Sequence, residues 1–84
     1  MNELENLRSQ IDQIDGELKQ LLLKRLNVVL KIGEVKKQQG IDIQDLTRER
    51  AVLDNITAGL SEQAREYVKN IYLEIIKNSK NLQK

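Results

Sequence analysis

The 84-residue sequence contains no cysteine, histidine, proline, tryptophan or phenylalanine, and its aromatic residues are two tyrosines. Each absence removes a class of explanation. Without cysteine there can be no disulfide and no thiolate metal site, and no redox compartment is indicated. Without histidine or cysteine the chain lacks the usual general base near neutral pH and the thiol nucleophile, which leaves carboxylates, lysine, tyrosine and hydroxyls for any chemistry. Enzymes that work by proton transfer are therefore a poor expectation, and no metal is expected. The lack of proline, with so few aromatics, suits an all-helical chain with an aliphatic core better than a β fold.

A dominant charge is also lacking. Lys and Arg number 14 and Asp and Glu 13, a net charge of +1, and no block of like charge is long enough to make a nucleic-acid or membrane patch. The first ten residues, MNELENLRSQ, carry two acids and no signal-like apolar run, and no stretch approaches the ~18 apolar residues that span a bilayer. A soluble, cytoplasmic protein that binds neither nucleic acid nor membrane is expected. A chain this short makes one small domain (residues 1–84), whose core is marginal unless oligomerisation adds to it.

What is present is a heptad repeat. Leu4, Leu7, Ile11, Ile14, Leu18, Leu21, Val28, Ile32 and Val35 fall at alternating steps of three and four, which keeps one stripe of a long helix apolar. Such a helix of ~35 residues is about 52 Å long, whereas a compact chain of this size has a radius of gyration near ~12 Å. Its overhang, with the apolar stripe on it, needs a second chain to cover it. One position breaks the repeat: Arg25 occupies a stripe position, and a guanidinium cannot shed its proton to escape burial. Something anionic is expected to meet it.

Taken in order, the spacing predicts helix 1 over about 3–38, with Asn2 as N-cap, Glu3 and Glu5 at the positive end of the helix dipole, and Gly40 at its close. Gly16 and Gly33 interrupt it, each costing roughly 1 kcal/mol against alanine; close approach of a ligand or another backbone would justify Gly33, and nothing in the sequence accounts for Gly16. After a short connector, Asp45 caps helix 2 over about 46–58, with Leu53, Ile56 and Leu60 facing inward. Gly59 closes it, and Ser61 caps helix 3 over about 62–82, whose apolar face is Ala64, Val68, Ile71, Tyr72, Ile75 and Ile76. Helices of long, short and medium length with short connections give an all-α bundle.

The chemistry-bearing candidates are polar residues on faces that should be dry. Stepping back four from Leu53 reaches Glu49, and continuing the face of helix 3 reaches Ser79 and Gln83. Arg25 and Lys36, three turns apart on one face, stand roughly 16 Å apart along the axis and can lean together onto a small dianion. Arg8 lies about 25 Å before Arg25 and so belongs to another site, unless an antiparallel partner helix carries it into theirs. Each residue also has an ordinary reading. A lone Lys or Arg beside a seam snorkels to water, a terminal Ser or Gln is a cap or frayed surface group, and Glu49 with Arg48 or Arg50 makes a surface ion pair worth under ~1 kcal/mol.

The stretches LRSQIDQID, LLLKR, IGEVK, DIQDLTRER and IYLEIIKNSKNLQ, in that order and over essentially the whole chain, resemble the all-helical chorismate mutases. The sequence departs from that family in having Asp42 and Gln44 where members often carry Pro and Tyr, and in Gly16. The resemblance implies an intertwined dimeric helical bundle, three helices per chain, in which two chains share two active sites and Arg8 enters from the partner. It also implies chorismate as substrate and a place in the shikimate pathway, in aromatic amino acid biosynthesis.

By resemblance, chorismate is rearranged to prephenate in an intramolecular [3,3] step that needs no nucleophile, proton transfer or cofactor. Arg8 of the partner and Arg25, assisted by Ser79, would clamp the two carboxylates. Lys36 and Gln83 would donate to the ether oxygen as charge develops on it. Glu49 would accept from the ring hydroxyl, with Asp45 and Arg48 ordering that segment, and Ile32, Val52 and Ile76 would line the apolar wall. Two other readings compete. One is an isochorismate-pyruvate lyase of the same fold, against which the pairing of Glu49 with Gln83 argues. The other is a non-catalytic helical dimerisation or regulatory module, which predicts no use for Arg25 in the seam.

Overall fold

The computed structural model describes residues 2–84, which form three helices joined by short connections, with no strand among the described residues. Helix α1 spans Glu3–Gln39, α2 spans Leu46–Thr57 and α3 spans Glu62–Gln83. Each begins on a side chain that satisfies an orphan amide of the first turn. The Asn2 carboxamide oxygen accepts from the Glu5 amide at 2.8 Å, Asp45 from the Arg48 amide at 3.0 Å, and the Ser61 hydroxyl from the Ala64 amide at 3.3 Å.

The ends are equally local in origin. Gly40 adopts the left-handed conformation (φ 67°) and the amides of residues 40 and 41 fold back onto the Lys36 and Lys37 carbonyls. α2 stops at Thr57, one residue before the position the periodicity predicts. The Thr57 hydroxyl donates to the Leu53 carbonyl at 2.7 Å, Ala58 turns to ψ 134°, and Gly59 follows at φ 76°.

α3 packs against both other helices, while α1 and α2 nowhere bring their Cα atoms within 8 Å of each other. A cleft therefore separates α1 from α2, floored by α3. The face of α1 turned to α3 is not the heptad stripe but its neighbour. Val29, 6% exposed, is the one buried apolar side chain among the described residues, and Gly33 is buried beside it. Gly33 is explained by its neighbour: a Cβ there would lie 3.1 Å from the Cα of Gln83, so its lack of a side chain lets the end of α3 lie against α1. Gly16 has nothing within 4 Å.

Most of the heptad stripe is uncovered. Leu4, Leu7, Ile11 and Ile14 are 50–56% exposed, and the molecule is 57 Å in its longest dimension with a radius of gyration of 16.3 Å, well above the ~12 Å of a compact chain. Ile56 and Ile71, expected to face inward, are 38% and 45% exposed, because α3 alone covers α2 and only part of α3 meets α1. Among the described residues, no helix is long and apolar enough to cross a membrane.

The two glycines of α1 give contrasting expectations. Gly16→Ala should stabilise the fold by about 1 kcal/mol, the helix-propensity difference, because an added methyl meets nothing. Gly33→Ala should forfeit that gain against Gln83. Thermal unfolding followed by circular dichroism measures both, and a Gly16→Ala midpoint at or below wild type would reveal a neighbour at position 16.

Candidate active site

The cleft between α1 and α2 contains a pocket of about 230 Å³. α1 contributes Arg25, Val29, Ile32 and Lys36; the connector and α2 contribute Ile43, Asp45, Arg48, Glu49 and Val52; α3 contributes Ile76, Ser79, Lys80 and Gln83. Of the residues singled out in the sequence, Arg25, Lys36, Asp45, Arg48, Glu49, Ser79 and Gln83, with the wall residues Ile32, Val52 and Ile76, all line this one space. Arg8 does not. It lies on the exposed first third of α1, outside the pocket of its own chain.

Helical spacing explains the convergence. Arg25, Ile32 and Lys36 share a face of α1, as do Ile76, Ser79, Lys80 and Gln83 on α3, since residues three, four and seven apart stack on one side of a helix. Asp45 is at the pocket because it caps α2. That cap places Arg48 and Glu49 in the first turn, Glu49 where the helix dipole favours an acid.

Arg25 is held in place from two sides. Its Nη1 donates to the Ser79 hydroxyl at 2.6 Å, and that hydroxyl in turn donates to the Ile75 carbonyl at 2.7 Å. Its guanidinium carbon stands 5.8 Å from the centre of the Tyr72 ring, within the range of a cation–π attraction. The Lys36 ammonium donates to the Ile43 carbonyl at 2.8 Å, tying the connector to α1 and leaving two N–H donors of a possible three.

On the opposite wall, Glu49 Oε1 accepts from the Lys80 ammonium at 3.3 Å, while its Oε2 is buried with no partner. The Gln83 carboxamide oxygen is likewise buried without a partner. The terminal amide torsion is soft and two-fold, so a half-turn exchanges that oxygen for the NH₂ donor at the same place.

Four cationic side chains, Arg25, Lys36, Arg48 and Lys80, face two anionic ones, Asp45 and Glu49. The excess of two positive charges matches a small dianion, and the unpartnered Glu49 oxygen matches a hydroxyl donor on the same ligand. Nothing in the lining is a thiol or an imidazole, so the arrangement suits binding and charge stabilisation better than proton relay.

Lys80 was not among the residues the sequence singled out. A step of four from Ile76 lands on it as surely as a step of three lands on Ser79, but a lysine beside an amphipathic face reads as a solvated charge. Its partner Glu49 is 31 residues away in the chain, and nothing local signals that pairing.

Similarities to known proteins bear on the site. The family model described as "Chorismate mutase type II" matches residues 7–84. The protein named chorismate mutase from Methanocaldococcus jannaschii is 32% identical over 88 aligned residues, covering 100% of this chain and 87% of that one. The T-protein of Haemophilus influenzae is 49% identical over 53 residues, 63% of this chain, and the match spans 14% of the T-protein's length. A solved structure, titled a conserved hypothetical protein from Pyrococcus furiosus, superposes with a TM-score of 0.82 at 32% identity, covering 100% of this chain and 99% of the other.

Proposed function

Because the chain belongs to the chorismate mutase type II family, we propose that it isomerises chorismate to prephenate in the cleft between α1 and α2. The observation that carries this reading is the pocket's charge balance. Four cations meet two anions around a space that also offers one unpaired buried carboxylate oxygen, which fits a dicarboxylate bearing a ring hydroxyl.

The reaction breaks one C–O bond and forms one C–C bond within the same molecule, with no proton or external electron pair to move. The enzyme's task is to hold the substrate in the folded conformer that brings the reacting carbons together and to stabilise charge that grows on the ether oxygen. Arg25 takes one substrate carboxylate, its guanidinium already oriented by Ser79 and Tyr72. Lys36 and, after its amide half-turn, Gln83 donate to the ether oxygen. Glu49 Oε2 accepts from the ring hydroxyl, Asp45 and Arg48 order the start of α2, and Ile32, Val52 and Ile76 shape the wall.

We assign the second substrate carboxylate to Arg8 of a partner chain. A homodimer of intertwined long helices is supported by the exposed stripe of Leu4, Leu7, Ile11 and Ile14, which water would otherwise face, and by the helix overhang. In that arrangement each chain lends Arg8 to the other's cleft.

Incubation of the purified protein with chorismate, followed by loss of its absorbance and identification of the product, tests the activity. Prephenate is the expected product; pyruvate release would assign a lyase, and no turnover would leave a non-catalytic helical module. Subunit mixing tests the shared site. Arg8→Ala and Arg25→Ala are each expected to be inactive, but every heterodimer of the two carries one intact site and one with both lesions, so mixing should restore activity. No recovery after confirmed subunit exchange would exclude a borrowed arginine.

Gln83→Glu tests charge stabilisation. A carboxyl donates only when protonated, and when ionised it repels both the dianionic substrate and the developing oxyanion. The wild type should be nearly flat across neutral pH, whereas the variant should work at acid pH and lose about a hundredfold in rate at neutral pH, the typical loss of one such donor. Full activity of Gln83→Glu at pH ~7–8 would remove Gln83 as a donor and leave that role to Lys36.

A further inference from the structure

Beyond its share of the pocket's charge, Lys80 is assigned no contact in the reaction set out above, yet it makes the one ion pair found among the described residues. In a chain with 14 basic and 13 acidic side chains, that pair lies in the pocket lining rather than along a solvated helix face. It bridges α2 to α3, and its side chains are only 22% (Glu49) and 29% (Lys80) exposed. We propose that Lys80 is a positioning residue that fixes the Glu49 carboxylate as a single-oxygen acceptor for the substrate's ring hydroxyl.

Two features of the geometry carry this. First, the two Glu49 oxygens are unequal: Oε1 is taken by Lys80 at 3.3 Å, and Oε2 is buried with no protein donor. A free carboxylate can present either oxygen through rotation of its terminal torsion. With one oxygen anchored to α3, the torsion is fixed and the other oxygen, on a residue of the pocket lining, is left as a buried acceptor that needs a donor from the ligand. Second, a bare carboxylate in a pocket for a dianion repels its own substrate. The Lys80 ammonium, paired with Oε1, offsets that charge, so Glu49 can serve as an acceptor at little electrostatic penalty.

The inference rests on the mutase reading and deepens it. Because the ring hydroxyl neither gains nor loses a bond in the rearrangement, its contact is made in both ground and transition states, and losing its alignment should raise KM more than it lowers kcat. A lysine that served only as a brace between α2 and α3 would instead lower the unfolding midpoint and leave KM alone.

The test is a double-mutant cycle in the full-length protein, read as steady-state kinetics on chorismate for wild type, Lys80→Met, Glu49→Gln and the double variant. Lys80→Met should raise KM by roughly 10- to 100-fold, the scale of a misplaced positioning group, with helical circular dichroism unchanged. Lys80→Arg should recover most of the loss, since a guanidinium also donates to the carboxylate. In the Glu49→Gln background, Lys80→Met should add little, because the group through which it acts is already altered. Should Lys80→Met fail to fold, Lys80→Gln takes its place.

Unchanged KM in a folded Lys80→Met or Lys80→Gln variant, beside an active wild type, would overturn the inference alone. So would undiminished loss in the Glu49→Gln background, which would place Lys80 directly on the substrate. A wild type that leaves chorismate unconverted would overturn the inference together with the proposed activity.

Discussion

A helix of 37 residues presents more apolar surface than the 12 residues of α2 and the 22 of α3 can cover, and the architecture follows from that shortfall. α3 shelters only the stretch of α1 around Val29 and Gly33, and this stretch carries the pocket. The earlier turns, from Leu4 to Ile14, are left with their stripe in water. The same length that denies the chain a closed core of its own places Arg8 far from Arg25. A single helix thus supplies residues suited to two different sites, and the second chain and the second arginine proposed above answer to one feature, its length.

The apolar stripe passes directly through a charged residue, and the structure shows how that is tolerated. Arg25 reaches out of the seam to α3, where a hydroxyl and an aromatic face receive its guanidinium. Those contacts satisfy some of its five N–H donors and leave others for an anion. The polar residues of the pocket are distributed across all three helices, so their spacing is set by helix packing, with Gly33 and Gln83 fixing how near α3 comes to α1.

Much of this was legible in the sequence because it is local. The heptad steps, the caps at Asn2, Asp45 and Ser61, and the αL position at Gly40 each depend on residues within one turn of each other. Arg25, Glu49, Ser79 and Gln83 could be picked out because they violate the period of an otherwise apolar face. The face of α1 that meets α3 was less legible, since Leu22, Leu26 and Val29 form a second stripe beside the heptad one and the sequence does not say which of the two stays within the chain. The partial exposure of Ile56 and Ile71 depends on how far α3 extends over its neighbours. Lys80 breaks no pattern that points inward, and its pairing with Glu49 exists only after α2 and α3 have docked.

The absence of backbone contact between α1 and α2 has a consequence for the energetics of the chain. A hydrophobic core gains by closing such a gap, but this one is bordered by charged groups from both sides: Arg25 and Lys36 on α1, and Asp45, Arg48 and Glu49 at the start of α2. Closing a space of about 230 Å³ would strip water from these charges, and the cost of desolvating every charge left without a full set of partners opposes collapse of the cleft. The charged groups proposed to bind substrate therefore also act as its props. Evolution of a tighter, more stable bundle by trading these charges for aliphatic side chains would fill the cleft, and stability and catalytic capacity are placed in direct competition at the same few positions.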